Sequence, residues 1–220
     1  MSLSVITAGG LNQTSESFSP PTAFSSGDDV IIVISEINTP NTASGTLSDS
    51  AGNTWTIDGA LYVNATLGSL VCAFHANGVA AGSPTITYAA QSTSYAGLNI
   101  AVIRVSGGPI ALDLIGSSAT GSSSIATTAN ITPSANGGIV IGAGYGQYNY
   151  ITWSSPTNSF TDVSSLGTTA PIAYLADSGD SAIDVSWTLS GSISWETGIL
   201  AYKVATAPPA SQQGLFWMLP

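Results

Sequence analysis

The sequence predicts an all-β protein made of two tandem pseudo-repeated antiparallel β-sandwich units, Ig-like or jelly-roll in type, with no substantial helix. Three observations carry this. Short runs rich in Val, Ile, Thr and aromatics recur between clusters of Gly, Pro, Asn and Asp, the spacing of strands and turns. No stretch of useful length places apolar residues at helical spacing. One strand also repeats. Leu98 to Val105, LNIAVIRV, is echoed 99 positions later by Ile199 to Val204, ILAYKV, and Arg104 falls on Lys203, the chain's two basic residues.

The echo extends further. At the same offset Ile86-Thr87-Tyr88 falls on Val185-Ser186-Trp187. One residue further out, Ala73-Phe74 falls on Ala173-Tyr174 and Asn77 on Asp177. Near the start of each half the offset is 109, which sets Val30-Ile31-Ile32-Val33 on Ile139-Val140-Ile141-Gly142 and Leu3 on Leu112. Loops shortened in the second copy account for the drift. The units run from Met1 to Gly108 and from Pro109 to Ala207, followed by an apolar tail over 208–220. A period near a hundred residues exceeds the 20–50 of solenoids and suits a duplicated β domain or two half-sandwiches packed as one.

Taken in order, Ser4 to Ala8 opens the first unit as a strand. Ser15 to Gly27 reads as an extended edge, because Pro20-Pro21 cannot donate to a ladder. Val30 to Ile37 is the strongest strand, and Pro40 to Gly45 is loop. Ser48 to Asn53 is a turn cluster leading into Thr54 to Ile57, then a turn at Asp58-Gly59 and a short strand from Ala60 to Val63. Ser69 to Ala76, Thr85 to Ala89 and Leu98 to Val105 complete the unit. In the second, Leu112 to Gly116 opens and the Ser/Thr/Ala stretch Ser117 to Pro133 is an extended edge. The strands Ile139 to Gly144, Asn149 to Trp153, Ser159 to Val163, Ile172 to Ala176, Ile183 to Leu189 and Ile199 to Val204 follow.

Composition narrows the function. Of 220 residues 44% are hydrophobic, enough for a core without metal or disulfide staples. Only 6% are charged, against about 25% in ordinary domains. The surface is therefore mostly Ser, Thr, Asn, Gln and Gly, which suits a protein packed beside copies of itself or placed outside cells. Net charge is −10 with two basic residues, so no phosphate-tracking stripe can be built and nucleic acid is excluded as a partner. Anionic membrane surfaces are disfavoured for the same reason, and no apolar run approaches the roughly 20 residues of a span. The start MSLSVITAGG lacks a basic n-region and a long apolar core, so it does not read as a signal peptide. Release by lysis, as for virion proteins, is the expected exit unless a leader has been removed. Cys72 is the only cysteine and alternates with Leu70 and Phe74, so it reads as a small core residue.

Catalytic signatures are sparse. His75 is the only histidine, lies mid-strand and falls on Leu175 in the repeat, which favours packing over a triad role. No G-x-S-x-G, P-loop or HExxH motif occurs. Most acids sit in turns, where Asp bonds the local backbone. The densest group, Asp177, Asp180 and Asp184, is a weak calcium candidate without EF-hand spacing, and no cofactor is expected. Tyr145, Tyr148 and Tyr150, in GYGQYNY, have the composition of a surface recognition loop. Half-buried loop tyrosines are the plainer alternative.

The rhythm of the chain resembles a family of β-sandwich modules in tailed-phage virion and bacterial surface proteins. The resemblance rests on GDDVIIVIS (Gly27–Ser35), SDSAGNTWTI (Ser48–Ile57), SLVCAFHANGV (Ser69–Val79), LNIAVIRVSG (Leu98–Gly107) and the reopening GGPIALDL (Gly107–Leu114). It spans Met1 to about Ala207, implies a structural or adhesive module and assigns no functional residue.

The expected function is thus a non-enzymatic virion structural protein, a capsid decoration or appendage subunit that is homo-oligomeric or bound to a capsid or tail protein. A secreted carbohydrate-binding or adhesin module with a glycan partner is the alternative. The tail supports the first. A polar, Pro-rich spacer from Ala205 to Gln213 precedes Gly214 and the run Leu215, Phe216, Trp217, Met218 and Leu219. Burying such side chains stabilises by about 1.5–3 kcal/mol each. The run therefore reads as a peg inserted into a neighbour and anchored by Phe216 and Trp217, the alternative being a tail folded back on its own sandwich.

Overall fold

The computed structural model describes residues 2–13, 15–37, 39, 43–64, 67–91, 97–134, 137–147, 152–163 and 170–206. Among them there is no helix, and every strand pairing is antiparallel. The first half contributes β1 (Ser4–Gln13), β2 (Ser17–Phe18), β3 (Asp29–Ile37), β4 (Thr46–Asp49), β5 (Thr56–Asn64), β6 (Ser69–Ala76), β7 (Ile86–Ala89) and β8 (Gly97–Ser106). The second contributes β9 (Ile110–Ile115), β10 (Ala119–Thr127), β11 (Gly138–Gly146), β12 (Thr161–Asp162), β13 (Ile172–Ser178) and β14 (Ser186–Val204). One sheet runs β1-β8-β3-β6-β5. A second runs β10-β14-β11-β13-β12, with β9 also paired to β14, and a small third sheet is β2-β7-β4.

The packing is sandwich-like because the long strands are apolar on both faces. In β3, Ile31 and Val33 point into a core shared by the two large sheets, where they meet Val71, Ala73, Ile103, Ile139, Ile141, Leu200 and Tyr202. Alternate residues Val30, Ile32 and Ile34 point the other way, into a core capped by Phe18, Ile86 and Tyr88 of the small sheet. In the second half Val140, Ala173, Ile199 and Ala201 face outward under Ile131, Phe160 and Trp187. A bare glycine helps the halves meet. A Cβ on Gly198 of β14 would lie 2.7 Å from the Leu61 carbonyl oxygen and 2.9 Å from its Cβ on β5.

Several local expectations change. Ser48 and Asp49, read as the start of a turn cluster, end β4. Asp58-Gly59 is not a turn. β5 runs through it with register shifts between Ile57 and Gly59 and between Ala60 and Tyr62. The predicted strands Ile183 to Leu189 and Ile199 to Val204 are bridged through Ser190-Gly191-Ser192 within β14, because β10 pairs along Ser186 to Thr197 and β11 takes over from Trp195 to Tyr202.

The two large sheets also show which of the offset residues share a facing. Ile31 faces the shared core opposite Ile103 on β8 and His75 on β6. Ile139 faces the same core opposite Tyr202 on β14 and Ala176 on β13. Ile31 thus shares its facing with Ile139 rather than with Val140, which lies in the outward cluster. A shift of one residue moves a strand's side chains to the other face, so the sequence offsets on β3 and β6 join residues of opposite facing. The 99-residue offset on the closing strand does preserve facing. Ile103 and Tyr202 both enter the shared core, and their neighbours Arg104 and Lys203 both point away from it.

Candidate functional site

Three polar clusters, none legible as a site in the sequence, hold the strands together. The first sits inside the outer core of the first half. Glu36 of β3 is fully buried and accepts hydrogen bonds from the Tyr88 hydroxyl (2.6 Å) and the Thr39 hydroxyl (2.7 Å), while the Gly45 N–H donates to Tyr88 (3.0 Å). Cys72 lies beside this group, 3.5 Å from the Tyr88 oxygen. Burial pushes its thiol up to about 12; the hydrogen bond with Tyr88 opposes this, the Glu36 charge reinforces it, and Ser44 opposes it more weakly. Thiolate is the reactive form. Ellman's reagent is therefore expected to find no thiol in the native protein and one per chain after denaturation; native reactivity would refute the buried placement.

The second cluster crosses between the halves. The Asp58 carboxylate on β5 receives His75 Nδ1 of β6 on both oxygens (2.8 and 2.9 Å) and the Tyr202 hydroxyl of β14 (2.6 Å). The His75 and Tyr202 rings meet edge to face at 5.9 Å. Burial, and then the Asp58 charge and hydrogen bond, hold the Tyr202 hydroxyl well above its usual range. An aspartate fixing an imidazole is two-thirds of a Ser–His–Asp arrangement. Among the described residues, however, Asp58 is the only hydrogen-bond partner of the His75 ring, and no hydroxyl or thiol nucleophile is bonded to it. The pair braces the seam.

The third cluster lies at the strand ends where the chain passes from β8 to β9. Arg104 binds Asp28 through Nε (2.7 Å) and Nη2 (2.6 Å) and also donates to the Ser25 hydroxyl (2.9 Å), with both charged residues over nine-tenths buried. Next to it, Asp29 Oδ1 accepts the Gly78 N–H (3.0 Å). Asn77 bonds the N–H and C=O of Ile110 (2.7 and 3.0 Å), tying β6 to β9. Beside them opens a cleft of about 400 Å³ lined by Asp28, Asp29, Gly78, Val105, Ser106, Gly107, Gly108 and Pro109 among others.

The residues singled out from sequence fall elsewhere. Tyr145 is on β11, only 2% exposed and part of the shared core, which takes it out of a recognition loop. It alternates with Ile141 and Ala143 on the inward face, a strand placement that a glycine-rich run conceals. Tyr148 and Tyr150 lie outside the described residues, as do Leu215, Phe216, Trp217, Met218 and Leu219. Asp184 receives the Asn158 amide (3.0 Å), Asp180 is exposed, and the Asp177 side chain lies outside the described part. Among the described residues no three His, Cys, Asp or Glu side chains are grouped to hold a metal ion. Trp187 is buried edge to face with Trp153, and Trp195 donates to Ser123 (3.0 Å), so neither forms a sugar platform. Trp55 donates to Asp49 (2.8 Å), which also gathers the Ala51 and Asn53 N–H groups. Burial raises the Asp49 carboxyl, but bonds from Asn53, Trp55 and the backbone outweigh it and hold it below its usual value. The motif SDSAGNTW is a local clip. No protein-family model matches the chain, and no curated protein matches it.

Proposed function

We propose that this chain is a non-enzymatic structural subunit of a virion, a capsid decoration or appendage protein, built from a duplicated β unit and working through assembly. The observation that carries the reading is how its ionisable side chains are employed. Arg104 is tied to Asp28, Lys203 to Asp113, Asp58 to His75 and Tyr202, Glu36 to Tyr88 and Thr39, and Asp49 to its own turn. Groups that would serve catalysis are committed to cross-strand bonds, as a scaffold requires. The matching strand order of the two large sheets, with Ile31, Ile103 and His75 placed like Ile139, Tyr202 and Ala176, supports duplication. The sparse charge and the apolar run from Leu215 to Leu219 support assembly.

Mass spectrometry of purified, nuclease-treated particles from the source is expected to find the chain in multiple copies per particle; its absence from particles would sink the reading. The tail is tested separately. A chain ending at Gln212 is expected to lose the oligomeric mass or particle occupancy of the full chain. Equal assembly by both would mean that the tail is no peg.

A further inference from the structure

We propose that the cleft at the β8–β9 crossing is a socket for a lysine or arginine side chain on the surface of a different protein. This rests on the reading of the chain as an assembly subunit and names the chemistry of its partner.

The argument begins with charge. The chain carries twelve acidic and two basic residues. Both basic side chains are consumed internally, Arg104 by Asp28 and Lys203 by Asp113, where the ammonium stands 2.8 Å from the carboxylate. One copy therefore offers another no uncommitted lysine or arginine, and like charge opposes contact between copies at an acidic face. A complementary partner must bring the positive charge itself.

The cleft has the form to receive it. Asp29 is only 6% exposed and lines the cleft. Its Oδ1 is held by the Gly78 N–H, while no donor among the described residues bonds its Oδ2. Asp28 beside it is already neutralised by Arg104, so Asp29 supplies the open charge. Burial pushes the Asp29 carboxyl above its ordinary value; the Gly78 N–H pulls the other way, the Asp28 charge pushes it up again, and His75 opposes that more weakly. An incoming cation would relieve that cost. The exposed Pro109 ring supplies an apolar edge for a methylene stem, while Gly107 and Gly108 leave the rim without side chains. A long stem with a charged head fits such a site better than a bare metal ion does. The exposed rim at Ser106 and Gly107 lets the stem enter from a flat surface.

The test uses the intact chain, isotope-labelled, with Nα-acetyl-lysine methylamide and Nα-acetyl-arginine methylamide as probes. Nα-acetyl-norleucine methylamide, methyl β-glucoside and calcium chloride are the comparisons. The Gly78, Gly107 and Gly108 amide resonances are expected to move with a millimolar midpoint for either cationic probe, with weaker binding as salt rises. Asp29→Asn keeps an acceptor for Gly78 and is expected to weaken binding about tenfold or more. Ser106→Lys, a change at an exposed rim position, is expected to occupy the socket from within and block the probe while Asp29 remains. The proposal is overturned if the cationic probes leave these amides unmoved, if Asp29→Asn binds equally, or if the glycoside or calcium acts where the cations do not. These readouts need no particle. A cleft that binds cations in a protein absent from virions would overturn the function but not the socket.

Discussion

Asp58→Ala is expected to destabilise the fold by about 2–6 kcal/mol, because it strands two buried donors at about 1–3 kcal/mol each. Tyr202, 1% exposed, loses its acceptor, and His75 loses both contacts of Nδ1. The loss falls on the seam, since Asp58 and His75 belong to the first half and Tyr202 to the second. Urea denaturation followed by tryptophan fluorescence measures it. Tyr202→Phe should cost less, because it deletes one bond and leaves Asp58 with His75. A loss below about 1 kcal/mol for Asp58→Ala would show that water or another group satisfies the donors and that the cluster is no brace.

Asp28→Ala is expected to cost about 3–5 kcal/mol, the usual consequence of leaving a buried cation without its counter-charge. Arg104 would keep only the Ser25 hydroxyl. The double variant Asp28→Ala/Arg104→Met should recover much of that loss, because the desolvated charge leaves with its partner and the methionine fills the space of the arginine stem. A double variant less stable than the single one would mean that Arg104 contributes through packing rather than through its charge. The same experiment bears on the cleft. With Asp28 present, Arg104 stays engaged and Asp29 remains the open acid.

The strands were legible because their pattern is local. The run from Val30 to Ile34 and the run from Leu98 to Val105 declare themselves through β-branched residues between glycine and polar boundaries, and both became central strands buried on two faces. Facing was harder to read. When both faces of a strand are apolar, hydrophobicity no longer marks which residue points inward, so a repeat alignment can slip by one without any apparent penalty. At the 109 offset Ile31 falls on Val140, although the first faces the shared core and the second faces away from it. Tyr145 could likewise pass for a loop residue. The expected strand stops at Gly144, one residue short of Tyr145, yet the glycines at 142, 144 and 146 all lie in β11, where side chains from other strands and loops pack against them. A Cβ on Gly144 would meet the Trp153 ring at 2.9 Å, and one on Gly146 would meet the same ring at 3.2 Å.

Sequence by itself determined the all-β class, the positions of the long apolar strands, the burial of Cys72 and the acidic balance of the chain, because each follows from residue type and near-neighbour spacing. Tertiary structure alone decided which acids meet which donors. Asp58 reads locally as half of an Asp-Gly turn, but it is drawn into β5 by partners 17 and 144 residues away. Asp28 and Asp29 read as one strand-opening pair, yet Arg104 neutralises the first and leaves the second facing a cleft. Those outcomes depend on the packing of two sheets against each other. A carboxylate's role is fixed by the donors that folding brings to it, and no local pattern records them.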